Sequence, residues 1–402
     1  MTIQDFINQF RKQEKPEMAT AETVAFVKNT TPVVKEISNT DWVLFGTNNL
    51  YPQDLNKLVS MSGTQAAIIK GKATMMAGSD ILLTGTANKE ESDTKLSTLP
   101  ESVQKAYNNF IENPLGTEST QDISGKLSLD WQKYGAFAIE VVWSMDFTKI
   151  VKMEYVKVDS VRSGKYINGK INKFYISRDW TKYKTKGYEP KPIAIFDEEN
   201  KSDYNQLIYV KAGTNEYYGE PLYFEVINWV DIEGQISQFH SANLANGYAP
   251  SLSIKFYQMP GSPEERKSIV KGIEKQYTGT AAAGRAMVFF SPGKDLAPDV
   301  DAIPVSNLDK QYLATSDLTV QSILTGNQIT SPLLVGISVP GKLGGGTELE
   351  TAYQIMNRSS IAPDRNRLAR VYNKILKING GPEIRIEEFK PFISNNQIKA
   401  TK

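Results

Sequence analysis

The stretch from Gly219 to Gly247, GEPLYFEVINWVDIEGQISQFHSANLANG, holds the longest helical pattern in the first two thirds of the chain. Pro221 suits the first turn of a helix, because the backbone N–H that proline lacks has no helical partner there. The apolar residues after it return at helical spacing, and Asn246 followed by Gly247 is typical of a helix end. A helix of roughly 25 residues is about 38 Å long. That length predicts a helix that packs against further copies of the same chain.

Upstream of this stretch, helical and strand patterns are mixed. In chain order they predict a helix around 55–59, a helix over 64–76, a surface loop over 86–100, a helix over 119–134, and strands over 137–143 and 150–158. The two strands are expected to form a hairpin that packs against the helices. This is the layout of an α+β fold.

Residues 160–218 differ in character, because short β-like runs alternate with lysine-rich links. They predict a small β-rich subdomain with a basic surface. The residues assigned to that surface are Lys173, Arg178, Trp180, Lys182, Lys184 and Lys186. Aromatic residues between lysines are typical of base stacking on a nucleic acid, of a partner-protein surface, or of an ordinary solvated face. The sequence leaves these three interpretations open.

The last third of the chain contains a loop of unusual composition between regular elements. Residues 248–290 predict strands and a helix, 291–305 an exposed loop, 306–330 a helix, and 331–402 a turn-rich segment, a helix interrupted by Pro363 and a final strand. The loop is rich in proline, glycine and acidic residues. Its charged side chains are Lys294, Asp295, Asp299 and Asp301.

Composition narrows the chemistry that this chain can perform. The 402 residues include no cysteine and one histidine, His240. Disulfides and thiolate metal sites are therefore excluded, and a single histidine also removes the usual histidine-rich metal sites and most catalytic triads. The net charge of +1 argues against a protein that coats DNA, but it suits one along which DNA slides. We expect no cofactor, no secretory signal and no membrane span.

Residues 340–347, Pro-Gly-Lys-Leu-Gly-Gly-Gly-Thr, have the composition of a phosphate-binding loop. A P-loop ends in Gly-Lys-Ser/Thr, whereas Lys342 comes before the glycine run. We favour a flexible hinge in which Thr347 caps the next helix and Glu350 completes a capping box. A phosphate-handling enzyme that uses this loop is the less favoured alternative.

The order of these segments resembles that of tailed-bacteriophage portal proteins, also called head–tail connectors. Three motifs carry the resemblance, which covers about residues 40–390. They are Leu129-Asp-Trp-Gln-Lys-Tyr-Gly-Ala-Phe-Ala-Ile-Glu-Val, Tyr217-Tyr-Gly-Glu-Pro-Leu-Tyr, and Ile329-Thr-Ser-Pro-Leu-Leu-Val-Gly followed by Gly344-Gly-Gly-Thr-Glu-Leu-Glu. The first is similar to a helix that enters a wing strand through a glycine, the second to the entry of a stem helix, and the third to the segment before the last helix.

The resemblance implies a portal-like division of the chain. It implies a flexible arm (1–40), a wing of helices and mixed strands (41–159), a small β-rich clip (160–218), a long stem helix (219–247), further wing strands and a helix (248–290), a tunnel loop (291–305), its helix (306–330), and a C-terminal part with little or no crown (331–402). The stem residues that it places between subunits are Phe224, Ile227, Val230, Ile236 and Phe239.

The same resemblance implies a structural conduit and not an enzyme. It implies a ring, usually of twelve copies, at one capsid vertex, through which double-stranded DNA passes during packaging and ejection. The tunnel loop would face that DNA. Expected partners are further copies of the chain, the terminase large subunit, the major capsid protein and the head–tail adaptor. The expected location is the virion, after assembly in the bacterial cytoplasm. Another ring or adaptor protein of the phage head–tail region is the main alternative.

Overall fold

The computed structural model describes residues 34–199, 201, 203–246, 252–257, 260–277, 286–291, 308–337 and 346–389. The helices are α1 (Tyr51–Met61), α2 (Gly63–Ala77), α3 (Lys89–Ser97), α4 (Glu101–Glu112), α5 (Thr120–Tyr134), α6 (Ile227–Asn246), α7 (Pro263–Tyr277), α8 (Leu308–Gly326), α9 (Gly346–Met356) and α10 (Ala362–Ile378). The strands are β1 (Val34–Glu36), β2 (Val43–Phe45), β3 (Ile81–Leu83), β4 (Ala136–Trp143), β5 (Ile150–Val156), β6 (Val161–Ser163), β7 (Tyr166–Ile167), β8 (Lys170–Ile171), β9 (Lys173–Ile176), β10 (Lys191–Ile195), β11 (Asn205–Lys211), β12 (Leu252–Phe256), β13 (Ala286–Phe290) and β14 (Ile384–Ile386). This mixture confirms the predicted α+β class.

A six-stranded sheet in the order β5-β4-β11-β10-β9-β6 is the largest sheet of the described residues. The hairpin of β4 and β5 is antiparallel, as predicted, and β11 pairs antiparallel with β4. Strands β10 and β11 run parallel. Four strands of the predicted clip, β6, β9, β10 and β11, therefore continue the sheet of the hairpin, whereas β7 and β8 form a two-stranded sheet of their own. The boundary predicted at 159/160 cuts through the six-stranded sheet.

Strand β4 is buried on both faces, which explains its nearly continuous apolar sequence. Successive side chains of a strand point to opposite faces. Phe137 and Ile139 therefore pack with Trp131 of α5 in the larger core. Ala138, on the opposite face, packs with Leu207 in a smaller cluster.

A second core joins the helices that are far apart in sequence. Leu55 of α1, Ile68 of α2, Val230 of α6 and Ile323 of α8 pack together in it. The 3-10 turn Pro332–Val335 also packs on α2. This core fixes the position of the first turns of the long helix α6.

Two of the sequence motifs meet at a glycine pair. Gly135 ends α5 with φ of 63°, a left-handed conformation that glycine adopts without strain. A Cβ atom at Gly135 would overlap the Glu220 carbonyl oxygen, and one at Gly219 would overlap the Gly135 carbonyl oxygen. The end of α5 and the segment before α6 therefore approach so closely that both positions require glycine.

The polar segment 86–100 contains a helix, so its prediction as a surface loop is wrong. Helix α3 forms there because Asn88 caps it, accepting from the Glu91 N–H at 2.9 Å. The Glu91 carboxylate in turn accepts from the Ala87 N–H at 2.7 Å. Helix α4, which follows, was not predicted.

The predicted stem helix begins later than expected. Residues 224–226 form a 3-10 turn, and α6 starts at Ile227 and has 20 residues. Pro221 therefore lies in the approach to the helix, not in its first turn. In the C-terminal part, α9 begins at Gly346, one residue before the predicted cap Thr347. A π-helical turn at Asn357–Ile361 joins α9 to α10, close to the predicted interruption at Pro363.

Candidate functional site

The predicted basic surface lies on β9 and the loop that follows it. Five of its side chains are exposed, namely Lys173, Arg178, Lys182, Lys184 and Lys186. Polar contacts within the loop set its shape. Asp179 accepts from the Thr181 N–H at 2.9 Å, and the Ser177 hydroxyl donates to the Tyr188 carbonyl at 2.7 Å. Hydrogen bonds from Thr181 lower the pKa of Asp179, which keeps this carboxylate charged among the lysines.

Arg162 of β6 is buried beneath this loop and connects it to the helical part of the chain. Its guanidinium donates to the side-chain and carbonyl oxygens of Asn49 at 2.7 and 2.6 Å. It also donates to the Gln53 side chain at 3.2 Å. The Asp159 and Val161 carbonyls accept from it at 3.0 and 2.8 Å. One side chain therefore ties β6 to α1 and to the turn before it.

The five acceptors around Arg162 are all neutral oxygens, and burial lowers the pKa of its guanidinium to about 10. The side chain still carries its proton at neutral pH. Its charge lies 4.8 Å from the Trp180 ring centroid and 5.9 Å from that of Phe45. Cation–π contacts therefore supply part of the stabilisation that a carboxylate would otherwise give.

The aromatic residues of the basic segment are largely part of the fold. Trp180 is 2% exposed, and its indole N–H donates to the Ser160 carbonyl at 2.7 Å. The Trp42 ring contacts the rings of Tyr175, Trp180 and Tyr183 at centroid distances of 5.8, 5.3 and 5.5 Å. The assignment of Trp180 to a partner-binding surface is therefore wrong, because its ring packs beneath the loop. Burial of Trp180 and Tyr175 also removes two platforms that base stacking would need.

An open groove of about 1090 Å³ runs beside the basic loop, across β9, β10 and β11. Three basic and three acidic side chains line it, namely Lys173, Arg178, Lys191, Glu140, Glu189 and Asp203. A phosphate backbone is bound by cations, and acidic groups repel it. Of the three interpretations of this surface, the mixture of charges favours a protein partner.

The base of α6 is held against α1 and α2. Glu233 accepts from the Thr64 N–H at 3.2 Å, from the Thr64 hydroxyl at 2.7 Å, and from the Ser62 hydroxyl. Ser62 is the N-cap of α2, where the helix dipole stabilises a negative charge. Gly234 packs directly on Met61. Helix α6 is therefore anchored to α1 and α2 up to this point.

The five predicted stem residues fall into two groups. Ile227 and Val230 are 1% and 0% exposed, inside the chain's own second core. Their assignment to contacts between subunits is wrong, because the chain itself encloses both side chains. Phe224 and Ile236 are half-buried, and Phe239 is 40% exposed. For these three, a contact with a neighbouring copy stays a prediction.

The residues of the predicted tunnel loop, Lys294, Asp295, Asp299 and Asp301, lie outside the described residues, as does Lys342 of the glycine-rich segment 340–347. The described chain stops at Ser291 and resumes at Leu308. The role of this loop therefore stays a prediction.

The outer edge of the six-stranded sheet is closed by two asparagine side chains. Asn113 donates to the Met153 carbonyl at 2.9 Å and accepts from the Met153 N–H at 3.1 Å. Asn379 pairs in the same way with Ile150, at 2.8 Å in both directions. A side-chain amide offers the same donor and acceptor as a peptide group. Each asparagine therefore occupies the place of a residue on a neighbouring strand.

Sequence reasoning missed Arg162 and Glu233 as well as these two asparagines. Asn113 and Asn379 each directly follow a helix, which is a weak signal that their side chains cap something. Arg162 lies between Val161 and Ser163 in the sequence, and nothing in this context indicates that its side chain is buried.

Among the described residues, no group of three or more histidine, aspartate or glutamate side chains could hold a metal ion. The His240 ring packs edge-on against Phe239, with centroids 5.9 Å apart. The described part of the chain also contains no helix long and apolar enough to cross a membrane.

The arrangement is that of a mixed sheet flanked by helices, with one long helix leaving a separate helical core. No family model and no curated protein matches the chain. Three similar solved structures come from gene transfer agent (GTA) particles. They are the neck of an empty particle computed with C6 symmetry (TM-score 0.55, 15% identity), the virion of the native particle (0.52, 13%) and the neck of a native particle computed with C12 symmetry (0.53, 14%).

These likenesses extend over almost the whole chain. They cover 87% or 88% of this chain and 88% of each matched chain. At such identities the likeness is one of fold. The chain therefore has the fold of proteins found in the necks of phage-like particles, which agrees with the portal-like architecture read from the sequence.

Proposed function

We propose that this chain is a portal-type ring protein of a tailed phage or a phage-like particle. The observation that carries the proposal is the fold that it shares, over 88% of both chains, with a chain from a GTA neck. Two of the similar structures were computed with C6 or C12 symmetry. Symmetric assembly of chains with this fold supports a ring, for which we propose twelve copies at a single capsid vertex.

In this proposal the ring is a conduit for double-stranded DNA. The net charge of +1 supports that role, because each additional phosphate contact would add affinity and slow the passage of DNA. We assign the loop 291–305, with Lys294, Asp295, Asp299 and Asp301, to the channel on the ground of its composition. The chain would act without chemistry of its own.

The basic loop is the surface that we assign to the packaging terminase and to the head–tail adaptor. Its exposed cations are held on a loop that Arg162 fastens to the helical part of the chain. The groove beside it adds acidic groups within reach of the same partner. A surface of mixed charge can pair with both signs on a protein, which supports specific docking. The major capsid protein would contact the wing.

Electron microscopy of the purified full-length chain, and of particles that contain it, tests the proposal. We expect the purified chain to form closed rings of uniform size with a hole wide enough for a DNA duplex. In particles, a label attached to this chain is expected at a single vertex. Deletion of residues 293–301 is expected to leave the ring intact and to reduce the packaged DNA. Monomers alone in solution together with no labelled vertex would overturn the proposal. Thermal stabilisation by ATP that depends on Lys342 would instead support the enzyme alternative.

A further inference from the structure

Several stretches of the chain contain no Asp, Glu, Lys or Arg, although these residues make up 23% of the whole. Three of them are residues 58–69, 234–246 and 318–337. The fold brings them together, because α1 contacts α6, α6 packs along α8, and α2 contacts both α8 and the 3-10 turn Pro332–Val335. Residues from these three segments thus form one region. We call the exposed part of this region the uncharged surface.

Large apolar side chains are exposed on this surface beside neutral amides. Phe239 is 40% exposed, Leu318 53% and Leu333 37%, and Gln238 and Gln321 are exposed as well. A surface built to face water carries charges on about a quarter to a third of its residues. The core of a protein–protein interface is depleted of charge and keeps aromatic and apolar groups. The composition of the uncharged surface is that of an interface.

The depletion is local, as two other exposed helices show. Helix α4 exposes Glu101, Lys105 and Glu112. Helix α7 exposes the run Glu264-Glu-Arg-Lys. Both have the mixed charges of an ordinary solvated helix, which residues 234–246 of α6 and 318–326 of α8 lack.

We propose that the uncharged surface is where copies of this chain contact one another. The inference rests on the proposed ring and adds to it the surface that closes it. A ring requires each copy to offer two different surfaces. Helices α6 and α8 lie side by side and supply them: Gln238 and Phe239 of one copy pack against Leu318, Gln321 and Leu333 of the next.

A second copy fits this surface better than the other possible occupants. DNA is bound through phosphates, and the three stretches supply no Lys or Arg to meet them. A partner with a charged surface would lose the hydration of its charges here and gain no ion pair. An equally uncharged surface loses little hydration, and each copy of the chain brings one.

The uncharged surface predicts how the ring responds to salt. Contacts between charged groups weaken as salt screens them, whereas apolar contacts do not. The ring is therefore expected to persist from about 0.05 M to about 1 M sodium chloride. A ring that dissociates across this range would be held by charges, which would overturn the inference.

A sharper test uses two substitutions that place opposite charges on the two surfaces that meet between neighbouring copies. Phe239→Lys and Leu318→Glu each bury an unpaired charge at every contact between copies, so ring association of each variant is expected to fall at least about tenfold. Leu318 is 53% exposed in the single chain, so the thermal unfolding of the Leu318→Glu variant is expected to stay unchanged. The matched control is Leu115→Glu, at a residue 64% exposed elsewhere on the chain, which is expected to leave the ring intact.

A mixture of the two variants shows whether the two substituted residues meet between copies or within one copy. In a mixed ring, the lysine of one chain meets the glutamate of the next, and every second contact is wild type. Native mass spectrometry is therefore expected to show rings that contain both variants in equal number. Variants that form rings as well as the wild type does would overturn this surface and leave the proposed ring standing. A wild-type chain that stays monomeric at every salt concentration would overturn this surface, and only the further absence of a labelled vertex in particles would overturn the proposed ring as well.

Discussion

The outer edge of the six-stranded sheet and the uncharged surface both lie at the surface of the chain, but they are built in opposite ways. The edge strand β5 presents backbone groups that any other strand could pair with. Asn113 and Asn379 occupy those groups from within the chain. On the uncharged surface, in contrast, apolar groups such as Leu318 are left exposed. Exposure alone therefore does not mark a binding surface; what marks it is whether the chain satisfies the exposed groups itself.

The part of the chain around the six-stranded sheet, which we call the sheet side, depends on buried polar groups. Among them, a substitution of Arg162 is expected to lower the free energy of unfolding most. Arg162→Leu leaves the oxygens of Asn49 and Gln53 without their donor in a buried place. We expect the free energy of unfolding to fall by about 3–5 kcal/mol, measured by urea denaturation. Arg162→Lys should restore part of the loss, because it keeps the charge but lacks the fork of donors.

The control for this prediction is the exposed neighbour Arg178. Arg178→Leu is expected to change the free energy of unfolding by less than about 0.5 kcal/mol. Equal losses for Arg162→Leu and Arg178→Leu would show that the buried guanidinium does not hold the sheet side together.

The closed edge predicts that removing the amides both weakens the fold and opens it to association. Asn113→Gly keeps the left-handed backbone, φ 48°, and removes only the side chain. Asn379 has φ of −83°, so Asn379→Ala removes the amide that pairs with Ile150 at the start of β5 without strain in the backbone. Asn113→Gly loses three hydrogen bonds to backbone groups and Asn379→Ala loses two, at about 1–3 kcal/mol per site. Light scattering of the double variant should show association that grows with concentration. Asn113 and Asn379 line a groove beside β5 together with Asn109, which is exposed, and Asn109→Ala should show neither effect.

The local elements were largely predictable from the sequence. Helix α5, the hairpin of β4 and β5, and α2 ending at Gly78 follow from apolar periodicity and end signals within a few residues. The segment 86–100 was misjudged because its helix is set by caps at Asn88 and Glu91, while its composition resembles a loop. The start of α6 was misplaced because Pro221 fits an approach turn as well as a first helical turn.

What could not be predicted depends on contacts between distant segments. The sheet joins β11 to β4 across more than 60 residues, and no periodicity encodes that pairing. Likewise, Trp180 reads as a surface residue among lysines until Arg162 and Ser160 are placed beside it. Ile227 and Val230 have the same helical spacing as Phe239, but only the packing of α1 and α8 shows that the first two are enclosed.

A buried acid on the sheet side predicts a dependence of stability on pH. Asp130 of α5 accepts from the Tyr155 hydroxyl at 2.9 Å and the Val158 N–H at 3.0 Å, and burial raises its pKa to about 7. The unfolded chain releases this proton near pH 4, so the stability that Asp130 contributes is present below that pH and lost as the pH rises to about 7.

Asp130→Asn should remove this dependence while keeping an oxygen for both donors. We expect the variant and the wild type to unfold at similar urea concentrations near pH 5. At pH 8 the variant should be more stable by about 2 kcal/mol. The quantity to compare is the difference between the two proteins, because other carboxylates also titrate in this range. A difference that is constant from pH 5 to pH 8 would contradict the buried titration.

The smallest effect is expected on the uncharged surface, and it bears directly on the comparison. If Leu318 serves only contacts between copies, the single chain gains little from it. Leu318→Ser should then change the unfolding free energy of the dilute, dissociated chain by less than about 0.5 kcal/mol. Ile323→Ala, in the same helix but 0% exposed, should cost about 2–5 kcal/mol. Similar losses at both positions would mean that the uncharged surface belongs to the chain's own core, and the contrast with the closed sheet edge would disappear.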